Sequence, residues 1–277
     1  MINNHGADMA SFWNSYEQAA TSFIAKEPDR LSWIMADYAR QFCEGFRGAD
    51  ILEIGGGDGL DAIRIVREYQ PASVVSIELA KQRVARARQH VQRAGLESTI
   101  RVEEMDAHDL KFPDDSFDVI YCNSVLLFLD RPRAFQEFVR VLRPNGFLLC
   151  GDESLAENPL MQFYRKAFPK LFPKAWKGEA EKLCQRLTLS EIEAIGAQYF
   201  QQLEHKEFYL FFSILAKIPY WTYYRLMRNS TQYRIKSGYL AAKIDDTLMR
   251  LFPVLRRWAW VAIIRYAKPI KPERVTH

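Results

Sequence analysis

Glu53, Gly55, Gly57 and Gly59 stand in the run "ILEIGGGDG" (51–59), where an apolar stretch closes on an acid and then four glycines in five positions. An apolar strand, a glycine turn and a helix start bring backbone N–H groups and the positive end of a helix dipole against a ligand. The glycines therefore clear a path for something that must approach the main chain. The dinucleotide fingerprint G-x-G-x-x-G, counted from Gly55, would need glycine at position 60, and that residue is Leu60. The pattern present is E-x-G-x-G-x-G. A second acid, Glu78, ends the next apolar run about 20 residues past the loop, where a carboxylate can accept both hydroxyls of a ribose.

Stepping along the chain, the elements that must hold these residues alternate between two periods. Strand-like runs are "DILEIG" (50–55), "SVVSIEL" (73–79), "IRVEEMD" (100–106), "FDVIYCN" (117–123) and "GFLLCGDE" (146–153). Between them lie helical patterns from about Leu60 to Tyr69, Lys81 to Ala94 and Pro132 to Leu142. Strands apolar on both faces, alternating with helices, predict a parallel sheet covered on both sides: a doubly wound α/β fold. Pro71, "AGL" and "RPNG" (143–146) punctuate the helix ends. After Glu153, residues 155–187 are rich in aromatics and prolines and read as short helices over a site. "TLSEIEAIGAQYF" predicts a helix capped by Ser190 with Glu193 three residues on. "QQLEHKEFYLFF" predicts a strand, 214–251 a helical insert, and "WAWVAIIRYAKP" (258–269) a closing strand.

With 277 residues, 48% of them hydrophobic, the chain can bury a large core, so disorder is not expected. Cys43, Cys122, Cys150 and Cys184 lack CxxC spacing, which argues against a zinc site or a disulfide framework and fits a reducing cytoplasm. No secretory signal is expected from the N-terminal residues, and the most apolar later stretch (208–224) is interrupted by Lys217 and Pro219, so no membrane span is expected. From Phe212 to His277 there are 13 Lys and Arg against 3 Asp and Glu. Two readings stay open for that excess: an ordinary solvated face, or a surface that meets an anionic or amphiphilic partner such as bilayer headgroups.

Two longer stretches give the series a family likeness. "MDAHDLKFPDDSFD" (105–118) and "RVLRPNG" (140–146), together with the E-x-G-x-G-x-G loop, resemble the class I S-adenosylmethionine-dependent methyltransferases. The narrower similarity is to the small-molecule group that includes the ubiquinone and menaquinone C-methyltransferases, and it covers residues 48–153. Met105, Lys111 and Asn145 depart from that pattern. The resemblance implies a seven-stranded, mostly parallel Rossmann-like sheet with a helical N-terminal cap (1–47), a cofactor-binding core (48–153) and a C-terminal part (154–277) with helical inserts at about 155–187 and 212–255. It implies S-adenosyl-L-methionine as cofactor and S-adenosyl-L-homocysteine as product. By the same resemblance the Gly55–Gly59 loop passes under the methionine portion and Glu53 orients that loop and the amino group. Glu78, with Leu79 beside it, meets the ribose; Asp106 and the Ala107 N–H meet the adenine; Asn123 faces the methionine or the transferred methyl. "SFWNSYEQAA" is similar to a covering helix, with Trp13 and Tyr16 closing the site.

Methyl transfer from a sulfonium is an in-line displacement, so alignment and exclusion of water do most of the work and a base is needed only if the acceptor must lose a proton. Asp152 and Glu153 at the carboxyl end of their strand, and His205, are the candidates for acceptor contact or base. His108 reads as a loop residue at the adenine edge. The expected function is methylation of a small, lipophilic or amphiphilic metabolite at oxygen, nitrogen or carbon, by a cytoplasmic protein with an open option of peripheral contact with an anionic membrane. The alternative is a membrane-associated protein that keeps the fold for binding alone. A nucleic-acid substrate is not expected, since "YCNSV" replaces the Asn/Asp-P-P-aromatic motif of amino-methylating enzymes and no RNA-binding module is evident.

Overall fold

The computed structural model describes residues 43–154, 166, 184–208, 244–259 and 261–271, apart from the side chains of 152–154, 208 and 257. Seven strands form one sheet: β1 (Asp50–Ile54), β2 (Ser73–Glu78), β3 (Ile100–Glu104), β4 (Phe117–Asn123), β5 (Leu142–Ser154), β6 (Phe200–Phe208) and β7 (Val261–Pro269). Their order is β3-β2-β1-β4-β5-β7-β6. Strands β1 to β5 pair in parallel, and β7 runs antiparallel to both β5 and β6. The helices are α1 (Leu60–Tyr69), α2 (Lys81–Ala94), α3 (Arg131–Val141) and α4 (Leu189–Gly196). Residues 244–251 are also helical.

Alternation along the strands splits the core in two. Ile51, Val119, Tyr121 and Leu149 face one side, with Ile65 of α1 and Val84 of α2. Leu52, Ile54, Ile120, Cys122 and Leu148 face the other, with Phe135 and Phe138 of α3 and Ile192 of α4. Both faces are thus buried under helices, which is the predicted doubly wound architecture. Each fully buried Ile, Leu or Phe contributes about 1.5–3 kcal/mol relative to exposure, so these two layers hold the strand ends in a fixed relation.

Local chemistry sets the boundaries. α1 and α2 begin and end where the apolar periodicity predicts. α2 stops at Gly95, whose left-handed backbone (φ 67) returns its N–H to Val91 and Gln92 carbonyls. α3 starts at Asp130, whose carboxylate accepts the Arg133 N–H, with Pro132 in the first turn.

Three expectations are corrected. β5 begins at Leu142, directly from α3: Phe117 pairs with Leu142 and Val119 with Phe147, so "RPNG" is a bulge inside the strand. Gly146 fits there because a Cβ would come within 2.8 Å of the Asp118 carbonyl. α4 is capped two residues earlier than expected, by Thr188, with Glu191 completing the reciprocal capping box. β7 starts at Val261 because Pro253–Trp258 coil into a 3₁₀ turn. The cap over 1–42, nearly all of 155–183 and the insert over 209–243 lie outside the described residues.

Candidate functional site

β2 and β3 lie on one side of β1, β4 and β5 on the other, so the chain reverses its direction of winding between β1 and β4. Open α/β sheets bind ligands at that point, beyond the carboxyl ends of the strands. A cleft of about 210 Å³ opens there, lined by Glu53, the Gly55–Gly57 loop, Asp61, Arg83 and Asn123 among others. A larger hollow, about 440 Å³, lies at the opposite edge around Glu44, Arg47, Asn145 and Arg265. None of the sequence-predicted site residues line it.

The loop is held shut from below. Gly55, Gly57 and Gly59 all have left-handed φ (69, 55 and 75). Gly56 is packed so tightly that a Cβ would collide with Ser76 Oγ and Glu53 Oε2. Glu53, at 2% exposure, accepts the Ser76 hydroxyl proton. Among the described residues it has no ion-pair partner. Burial, then the charge of Asp61, pushes its carboxyl up to about 8, so at neutral pH it holds a proton.

Glu78 is turned back onto the loop. Its Oε2 accepts the Gly57 N–H at 3.0 Å and its Oε1 the Ala80 N–H at 2.9 Å, with Arg83 3.9 Å away. Each oxygen keeps a lone pair for a ligand hydroxyl. Leu79 follows it, half-buried. From α2, Arg86 pairs with Asp58 at 3.0 Å and His90 Nδ1 meets the Asp58 carbonyl at 2.8 Å, so the loop is clamped from its outer side as well.

Asp106 follows the carboxyl end of β3. Its Oδ1 accepts both the His108 N–H (2.9 Å) and the His108 ring Nδ1–H (2.7 Å). His108 Nε2 in turn accepts the Asp130 N–H at 3.0 Å, which fixes the Nδ1–H tautomer. His108 is therefore a brace between this loop and the start of α3, with both ring nitrogens occupied. Its hydrogen bond holds the Asp106 carboxyl below the usual carboxylate range. Ala107 is buried, and its N–H donates to no acceptor among the described residues.

Asn123 ends β4. Its Nδ2 donates to Asp61 Oδ2 at 2.9 Å, and Tyr121 OH reaches the same oxygen at 3.3 Å. Asp61, in the first turn of α1, was not anticipated from the sequence, nor were Ser76 and Tyr121. An acid two residues past the last glycine, on the helix turn that faces the loop, was the available signal for the first. The other two are defined by cross-strand register.

Of the remaining candidates, Asp152 and Glu153 follow Gly151, the partner of Asn123, at the carboxyl end of β5, beside the cleft's β4 wall. Their side chains, and Trp13 and Tyr16, lie outside the described residues. His205 is not brought to the cleft. It sits on β6, three strands from β4, about 14 Å across the sheet. Its Nε2 lies 2.9 Å from Glu193 and its Nδ1 2.9 Å from Glu207, and the Glu207 contact raises its pKa. A histidine with both ring nitrogens against carboxylates on the far side of the sheet is poorly placed to act as a general base in the cleft.

Among the described residues no cluster of His, Cys, Asp and Glu could hold a metal ion, and no helix is long and apolar enough to cross a membrane. None of the four cysteines is in a disulfide, and Cys122 and Cys150 are buried in β4 and β5.

A methyltransferase domain family matches residues 52–150. Over 149 residues the chain is 34% identical to the 27-O-demethylrifamycin SV methyltransferase of Amycolatopsis mediterranei, covering 53% of this chain and 52% of that protein. Over 101 residues it is 34% identical to the phosphatidylethanolamine N-methyltransferase of Cereibacter sphaeroides, covering 36% and 48%. The chain spans about half the length of the curated relatives it matches. Among solved structures, the geranyl diphosphate C-methyltransferase of Streptomyces coelicolor A3(2), in complex with Mg2+, geranyl diphosphate and S-adenosyl-L-homocysteine, aligns at a TM-score of 0.60 and 12% identity, over 97% of this chain and 100% of that one. That likeness is one of fold.

Proposed function

We propose that this chain, whose residues 52–150 match a methyltransferase domain family, is a class I S-adenosylmethionine-dependent methyltransferase that transfers the methyl of S-adenosyl-L-methionine to a small, apolar or amphiphilic metabolite at oxygen, nitrogen or carbon. The observation that carries this is the clustering of Glu53, Glu78, Asp106 and Asn123 at or just beyond four neighbouring strand ends around a left-handed glycine loop at the switch point. The donor set fits the cofactor. Gly57 leaves room above the loop, since a Cβ there would meet nothing nearer than Arg83 at 3.6 Å. Glu78 keeps a lone pair on each oxygen, and the Ala107 N–H has no acceptor among the described residues.

When bound, S-adenosylmethionine supplies an electrophilic methyl on a sulfonium. The chain's own residues then bind and orient. Glu78 both fixes the Gly57 N–H and accepts from the ribose hydroxyls, with Leu79 packing beside it. Asp106, held by His108, accepts from the adenine amino group through its second oxygen, and Ala107 donates to the ring. Asn123, its amide fixed by Asp61, lines the methionine side. Asp152 and Glu153 are the proposed acceptor contacts or base, and Trp13 and Tyr16 the proposed cover that excludes water. The helical cap (1–47) and the inserts at about 155–187 and 212–255 are the proposed source of acceptor choice.

The relatives' names support a small acceptor, from a rifamycin precursor to a phospholipid headgroup. The lipophilic character draws support from Leu251 (67% exposed), Phe252 (55%) and Val254 (59%), beside the exposed Arg250. The same patch supports a second reading, contact with an anionic bilayer. Pelleting with anionic vesicles that weakens as salt rises would support it, and salt-independent failure to pellet would remove it. The methyl-transfer reading is tested by calorimetric titration with S-adenosylmethionine against a nicotinamide dinucleotide control, followed by acceptor screening for labelled product. Saturable binding of the first alone is expected. Equal or exclusive binding of the dinucleotide would overturn it.

A further inference from the structure

The hollow of about 440 Å³ at the amino-terminal edge of the sheet draws side chains from four separate parts of the chain. Glu44 and Arg47 come from the turn that leads into β1, Asp118 from β4, Asn145 and Phe147 from β5, and Arg265 from β7. Its acids and its donors are in different situations. Asp118 Oδ2 accepts the Asp50 N–H at 2.9 Å and pairs with Arg143, which also reaches Asp50 Oδ2 at 3.0 Å. Glu44 is exposed. The donors are far less engaged. Arg265 lies with its guanidinium carbon 4.3 Å from the centre of the Phe147 ring, within cation–π range. Its nearest carboxylate, Glu204, is 3.8 Å away, and its Nε is shut off from solvent without an acceptor among the described residues. Arg47 is exposed and forms no ion pair or side-chain hydrogen bond among the described residues, and the same holds for the Asn145 side chain. Asn145 is also one of the three departures from the family's sequence pattern.

We propose that this hollow is a second ligand site, distinct from the cleft at the carboxyl ends of the strands, and that it takes the oxoanion of a small metabolite between Arg265 and Arg47, with Asn145 as a further donor. A guanidinium N–H that is cut off from water is costly to leave without an acceptor, and an oxoanion supplies one. Stacking on Phe147 holds the Arg265 plane in place while leaving its edge, which carries all the N–H groups, for paired N–H···O contacts. The volume falls in the range of about 300–1,000 Å³ usual for small-molecule sites, so the oxoanion is one end of a larger molecule. Phosphate and carboxylate share the required chemistry. This site does not depend on the reading of the cleft.

Inorganic phosphate and acetate are the minimal probes, each titrated into the full chain against chloride at matched ionic strength and pH, with the thermal unfolding midpoint as readout. A ligand of the native state raises that midpoint and its effect saturates, whereas the general stabilisation by excluded salts does not saturate and is the same in every variant. The wild type should show a saturable rise with at least one of the two anions, and whichever gives the larger rise identifies the group as phosphoryl or carboxylate. Arg265→Gln should abolish the saturable part. Arg47→Gln, at an exposed side chain without partners, should fold normally and raise the half-saturating concentration by roughly tenfold, and Asn145→Gly by a few-fold. Equal responses in the wild type and Arg47→Gln, as a general salt effect or binding in the cleft would produce, would overturn the assignment, and so would a wild type that responds to neither anion beyond chloride.

Discussion

Glu53→Gln isolates the electrostatic burden of a buried carboxyl. The native state holds the Glu53 proton up to about 8 against an ordinary 4.5. A folded pKa raised above the unfolded one means that the native state binds the proton more tightly. The stabilisation is therefore complete below pH 4.5 and is lost as the pH rises from 4.5 through 8. Three and a half units correspond to up to about 5 kcal/mol across that window. Gln keeps the shape and can still accept the Ser76 hydroxyl proton, but it carries no charge at any pH. Urea unfolding at pH 5, 7 and 9 should find the variant close to the wild type at pH 5 and several kcal/mol more stable at pH 9, with the gap opening through neutrality. Asp61→Asn removes the like charge but not the burial, so it should recover part of that gap. Parallel pH profiles for wild type and Glu53→Gln would refute the reasoning, because Glu53 would then be ionised in the native state at no cost.

Further outcomes follow from single contacts. Gly56→Ala drives a Cβ into Ser76 and Glu53, so unfolding should show a loss of about 1–3 kcal/mol, with weakened binding of S-adenosylhomocysteine. Glu78→Ala frees the Gly57 and Ala80 N–H groups and removes the proposed ribose acceptor, and calorimetry should record at least a roughly tenfold loss of cofactor affinity. Thr188→Ala opens the capping box of α4 and should cost about 1 kcal/mol in thermal or urea unfolding while leaving cofactor affinity unchanged.

The parts legible from sequence were those governed by local periodicity. α1, α2 and β4 fall on their expected boundaries because each combines an unbroken apolar pattern with a clear stop, such as Gly95 after α2. The expectation for β5 failed because Pro144 and Gly146 signal a turn, whereas the pairing of Leu142 with Phe117 is a long-range contact that local signals do not contain. Thr188 and Ser190 offer the same capping chemistry two residues apart, and the reciprocal bond with Glu191 decides between them. Within the site, the acids at strand ends were visible because strand ends are visible. Ser76 beneath the loop, and Asn123 and Tyr121 converging on Asp61, required the register of β2 against β1 and the packing of α1 across the sheet. His205 drew attention by residue type alone, and the strand order places it against α4 rather than in the cleft.

Amide hydrogen exchange with and without S-adenosyl-L-homocysteine tests the central claim most directly, since it reports every proposed binding segment at once. Slowed exchange confined to the 55–61 loop, 78–80 and 105–110, with strand β6 at 200–208 unchanged, is the result expected of a cofactor cleft between β1 and β4. Protection elsewhere with those three segments unaffected would contradict it.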